Sequence, residues 1–114
     1  MVLIVRLTNH GESDMFLIEG WIKLASGEFD KVADQARAMV TATNEEDGCI
    51  HYSFSRDIAD PDLIRISERW TSESAMAAHM ASAHMAAFNQ AMGSVKLEGA
   101  DLRLYSAEEL RKLM

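Results

Sequence analysis

Pro61 is the only proline in 114 residues, and it sits in Asp57-Ile-Ala-Asp-Pro-Asp62 between two stretches of alternating apolar and polar side chains. Proline and clustered aspartates favour a bend, and alternation with a period of two belongs to a half-buried strand. From Cys49 to Arg56, the residues Ile50, Tyr52 and Phe54 alternate with Cys49, His51, Ser53 and Ser55. From Leu63 to Trp70, the residues Ile64, Ile66, Glu68 and Trp70 share one face. Together they predict an antiparallel hairpin, and the rest of the chain is laid out around it.

Upstream, Met15 to Leu24 is too apolar for a loop, and its β-branched and aromatic residues predict a buried strand. Ser26, followed by Glu28 and Asp30, supplies a helix start with acidic residues in the opening turn. Phe29, Val32, Ala33, Ala36, Met39, Val40 and Thr43 then recur at helical spacing, with Asn44 and Gly48 marking the end. Downstream, Ser72 is an N-cap, and an alanine- and methionine-rich stretch without proline or glycine predicts one helix from Glu73 to about Met92. Gly93 stops it. Val95 to Ser106 is read as a last strand interrupted near Gly99.

The order is βαββαβ, a ferredoxin-like α+β fold with an antiparallel sheet and two helices on one face. The core domain is expected over residues 15–106, with 1–14 as an N-terminal arm or extra strand (Val2 to Leu7) and 107–114 as a short helix or tail. The sheet's other face is left bare, so a second copy is expected to cover it and make a homodimer.

Composition excludes several classes. The net charge of -7 repels phosphate backbones and anionic headgroups, which argues against nucleic acid and membrane as partners. A single cysteine, Cys49, forms no internal disulfide, and its position after Glu45-Glu46-Asp47 raises its thiol pKa, as in an inert structural thiol. The apolar opening Met1 to Val5 lacks a basic leader and is interrupted by Arg6, so neither signal peptide nor membrane span is read, and a cytoplasmic location is expected. No P-loop, dinucleotide fingerprint or nucleophile elbow occurs.

Chemistry-bearing residues gather around the second helix. On a regular helix Met76, Met80, Ala83, Ala87 and Ala91 form the packed centre, with Met85 outward. His79 and His84 flank that centre about 140° apart, too divergent to share a metal or a proton, so no metal site is expected. His79 follows Trp70 closely enough for the helix to fold back over the face carrying Trp70 and Glu68, with Tyr52 on the neighbouring strand. That cluster offers a stacking surface, a group titrating near neutrality and a phenol, which suits a flat aromatic ligand. The same residues are also explained as core aromatics, with Glu68 paired to Arg65 or Arg69 and His79 a half-buried structural imidazole. His10, His51 and His84 have no carboxylate partner at a recognisable spacing, and surface, packing or dimer-contact roles are expected for them.

The string Asp47-Gly48-Cys49, Tyr52, the Asp57 to Asp62 turn, Glu68-Arg69-Trp70 and Ala78-His79-Met80-Ala81-Ser82-Ala83-His84 to Phe88 resembles the antibiotic biosynthesis monooxygenase family. The resemblance implies a dimeric α/β barrel in which Trp70 and His79 line a pocket between sheet and helix, with Tyr52 beside them. Two departures are visible: the family usually has proline where Ala83 stands, and Met15 to Leu24 lacks the asparagine of its haem-degrading branch. The implied activity is a cofactor-independent oxidation of a quinol- or anthrone-like substrate by O₂. His79 would be the base or proton shuttle, and Tyr52 and Glu68 would orient or relay protons. Trp70, Met76, Met80 and Phe88 would form the substrate-binding wall. A non-catalytic or stress-related binding dimer, and a haem-binding relative, are the alternatives within the same resemblance.

Overall fold

The computed structural model describes residues 15–114; the expected strand at Val2 to Leu7 lies outside them. The elements run β1 (Met15–Leu24), a 3-10 turn (Glu28–Lys31), α1 (Ala33–Asn44), β2 (Cys49–Arg56), β3 (Leu63–Trp70), α2 (Glu73–Met80), α3 (Ala83–Met92) and β4 (Leu97–Ala107). The strands form one antiparallel sheet in the order β2-β3-β1-β4, as a ferredoxin-like fold requires.

Register places the even-numbered residues of the first three strands on one face. Ile18 lies opposite Glu68, Ile22 opposite Ile64, and Tyr52 opposite Glu68 on the other side. This is the face the helices cover: Ile22, Leu24, Tyr52, Ile64, Ile66 and Trp70 are buried there with Met39 and Phe88. Phe29, Val32, Ala36, Met39 and Thr43 are all buried, so the apolar stripe read from the sequence is the packed stripe. At Gly20 a Cβ would fall 1.9 Å from the carbonyl oxygen of Asp101, so only glycine lets β4 approach β1 there.

Three local expectations are corrected. The first helix is entered through Gly27, whose φ of 76° is left-handed, and through a 3-10 turn; Ser26 does not cap it. The last strand starts at Leu97 and not at Val95; the interruption read near Gly99 is a bulge, since Lys23 pairs with Gly99 and Leu24 with Leu97, leaving Glu98 as the extra residue on β4. Residues 108–114 carry no regular secondary structure, which is the tail of the two alternatives read from the sequence and not the short helix.

The third correction matters most: the helix expected over Glu73 to Met92 is two helices. Ser82 is extended (φ −74°, ψ 157°), and its hydroxyl accepts from the Met85 amide (3.2 Å) while donating to the His79 carbonyl (2.6 Å). One serine thus ends α2 and caps α3, an interruption that alanine-rich neighbours alone do not announce. The break resets the helical phase, leaving Ala83 and Ala87 exposed and turning Met85 inward.

Candidate functional site

The loop from α1 to β2 is held against the second helical layer by two devices. Asn44, last residue of α1, pairs its side-chain amide with both backbone groups of Tyr52 on edge strand β2, at 2.8 and 3.1 Å. Gly48 has φ 83°, and a Cβ there would come within 2.5 Å of the Ala75 Cβ. Its carbonyl accepts from the Thr71 amide at 2.9 Å. Between these anchors Glu46 faces α2 and α3.

Glu46 Oε2 receives two imidazoles: His79 Nδ1 at 2.8 Å and His84 Nε2 at 2.6 Å. The predicted divergence of the two histidines is therefore overturned. It assumed a continuous helix, whereas the break at Ser82 brings the rings to 5.8 Å between centroids. The expectation that His84 has no carboxylate partner fails with it, because the partner comes from another part of the chain. Glu46 itself was missed: it is 33 residues from His79 in sequence.

His79 is 1% exposed, so it is not the half-buried imidazole of the structural reading. Its ring stands 5.1 Å from those of both Trp70 and Tyr52. Among the described residues its second nitrogen, Nε2, makes no hydrogen bond, and neither does the Tyr52 hydroxyl. Glu68 does not pair with Arg65 or Arg69, whose odd register puts them on the opposite face. Its Oε1 instead accepts from the Trp70 indole N–H at 2.9 Å.

These groups border a cavity of about 370 Å³ between the sheet and α2–α3, a size within the range of small-molecule sites. Tyr52, Glu68 and His79, with Asn89 and Arg103, supply its polar wall, and Met39, Met80, Met85, Met92, Phe54 and Phe88 much of its apolar one. Two expected wall residues are elsewhere. Trp70 is fully buried behind the wall, bracing Glu68, His79 and Tyr52, so it offers no face for a ligand to stack on. Met76 packs against the core without lining the cavity. A wider depression of about 470 Å³ on the opposite sheet face holds Glu19, Arg65, Asp101 and Arg103. Its charges are already engaged locally, Arg65 by Asp57 and Arg103 by Asp101, each at 3.0 Å.

Burial pushes the Glu68 carboxyl above its ordinary pKa, partly opposed by the Trp70 N–H and by His79. Burial, followed by Glu68, Cys49 and Glu46, pushes the Tyr52 phenol far above its ordinary value. Tyr52 is thus a neutral hydrogen-bond donor. The Cys49 thiol is raised too, chiefly by burial and then by Glu46 and Glu68, as expected of an unreactive thiol. With Nδ1–H donated to Glu46, the His79 Nε2 would carry the free lone pair, the tautomer a base needs.

No curated protein matches the chain. Among solved structures, it is similar to a Deinococcus radiodurans protein assigned to the antibiotic biosynthesis monooxygenases: 23% identity, TM-score 0.77, covering 87% of this chain and 98% of that one. A Pseudomonas aeruginosa protein is 23% identical (TM-score 0.73, covering 85% and 96%), and one from Mycobacterium tuberculosis 17% (TM-score 0.75, covering 86% and 99%). At these identities the likeness shows the fold alone. The family model for antibiotic biosynthesis monooxygenase matches residues 15–91, from β1 into α3 and including Glu46, Tyr52, Glu68, His79 and His84, and the chain therefore belongs to that family.

Proposed function

We propose that the protein is a cofactor-independent monooxygenase that oxidises a hydroxylated aromatic of the quinol or anthrone type with O₂, working as a homodimer. The observation that carries this reading is the Glu46–His79 pair at the cavity wall. Glu46 fixes one imidazole nitrogen, the other has no protein partner among the described residues, and the Tyr52 hydroxyl and Glu68 border the same space.

His79 Nε2 takes the substrate's acidic proton, and Glu46 stabilises the imidazolium that results. Tyr52 donates a hydrogen bond to the oxygen where negative charge collects, and the methionine-rich wall keeps water from quenching that anion. The electron-rich anion reduces O₂ and a C–O bond forms; the peroxide anion takes the proton back from the His79 imidazolium, and the resulting hydroperoxide loses water to leave a carbonyl. One oxygen atom enters the product and the other leaves as water.

Oxygen uptake with menadiol- and anthrone-type substrates tests this. His79→Ala should lower kcat by about 10²- to 10⁴-fold, the usual contribution of a positioned base. A planar compound bound without any oxygen uptake would leave a binding module in place of an enzyme, and uptake unchanged in His79→Ala would remove His79 as the base.

A further inference from the structure

The reading above uses His79 and Glu46 and leaves His84 without a role, although it makes the shorter contact of the two. Both imidazoles aim a ring nitrogen at one carboxylate oxygen, and the three atoms lie within 4.8 Å of one another. One oxygen receiving two imidazole nitrogens is a convergence with little purpose for packing, and it is the only such group of three among the described residues. Without the two N–H protons, three lone pairs point into the same small volume.

Two imidazoles and one carboxylate are a donor set for first-row divalent metals such as zinc and cobalt(II). With metal–ligand bonds of about 2.0–2.1 Å, neighbouring donors stand about 2.9 Å apart in an octahedral shell and about 3.4 Å in a tetrahedral one. The two oxygen–nitrogen separations of 2.6 and 2.8 Å need to open by tenths of an ångström for the first and somewhat more for the second, and the two nitrogens, which lie within 4.8 Å of one another, must settle at the same spacing. The ligands come from three places, the α1–β2 loop, the end of α2 and the start of α3, each tied down by Gly48, Ser82 or the ring contacts of His79. His84 is 26% exposed at its side chain, which gives an ion a way in and leaves water to complete its shell.

We propose that Glu46, His79 and His84 bind one divalent transition-metal ion through Oε2, Nδ1 and Nε2. The site has a consequence that rests on the oxygenase reading. A neutral imidazole bound through Nδ1 carries its proton on Nε2, so the ion turns the His79 nitrogen that the oxygenase reading uses as the base from acceptor to donor. Metal occupancy then switches oxygenation off.

The test titrates chelator-treated full-length protein with Co²⁺, followed by visible absorption, and with Zn²⁺, followed by calorimetry. One equivalent per chain is expected, with affinity at least about tenfold weaker in both Glu46→Gln and His84→Gln. His51→Ala, whose ring bonds Ser53, should bind as wild type does. Circular dichroism confirms that each variant is folded. No saturable binding, or equal binding in the Glu46→Gln/His84→Gln double variant, overturns the site. Those results leave the oxygenase intact, since that reading is decided separately, by oxygen uptake in the metal-free wild type and its loss in His79→Ala. Zinc that binds with one-to-one stoichiometry and does not inhibit uptake overturns the switch.

Discussion

Glu68 shows how a single buried carboxyl is maintained and what it costs. It sits on the helix-covered face with 7% exposure, receives the Trp70 indole N–H, and has its pKa raised by burial. A raised pKa means that the folded chain holds the proton more tightly than the unfolded one. Stability is then greatest below the ordinary carboxyl value of 4.5 and is lost as pH rises from there through the raised folded value. Glu68→Gln keeps an oxygen to accept from Trp70 and cannot ionise. Thermal melts from pH 4 to 8 should show the wild type losing stability relative to this variant as pH rises. A constant difference would mean that Glu68 titrates normally. Tyr52 has the same sign at alkaline pH, since its phenol is also raised. Glu68 and Tyr52 were legible as site residues because alternation assigns them a face, whereas Glu46 was not, since nothing local distinguishes it from Glu45 and Asp47.

At the scale of elements, the decisive event is the break between α2 and α3. Position 83 is alanine where the sequence resemblance implied proline, yet the helix still stops, because Ser82 is already extended and caps α3 with its own hydroxyl. The backbone is therefore ready for the missing proline. Ser82 has the extended conformation that a residue preceding proline prefers, and Ala83 is the first residue of α3, where no intrahelical amide bond is required. Ala83→Pro should stabilise the chain by about 0.4–1 kcal/mol, by limiting the unfolded ensemble. That is a rise of several degrees in Tm for a domain of this size, read by thermal denaturation at constant pH. A fall in Tm would show that the Ser82 geometry is not what sets the break. The consequence for the site is direct: a continuous helix would carry His84 away from Glu46.

For the whole molecule, helices cover one face of the sheet and leave the other to solvent. That face carries Leu17, Trp21 and Tyr105 between Glu19, Arg65 and Arg103, a mixture suited to a second sheet more than to bulk water. If the second copy sits there, light scattering across a dilution series should give twice the 12.7 kDa chain mass. Trp21→Glu, which forces a charge into the contact, should shift the population to monomer. A wild-type monomer throughout would place the bare face in another role. Among the described residues no helix is long and apolar enough to cross a membrane.

The amino-acid sequence by itself determined the βαββαβ order, the face that β2 and β3 turn to the helices, and the stripe of α1 that packs. These follow from short-range periodicity: Ile64, Ile66, Glu68 and Trp70 are buried as their alternation demands, and Phe29, Val32, Ala36, Met39 and Thr43 as theirs does. Only the tertiary structure decided that Trp70 braces the cavity from behind, that Met85 faces it, and that one glutamate holds two histidines. Each depends on contacts between distant segments or on a phase shift at one serine hydroxyl. A wheel drawn from local spacing cannot carry either, because it contains neither the loop that brings Glu46 across 33 residues nor the one extended residue that turns His84 to meet it.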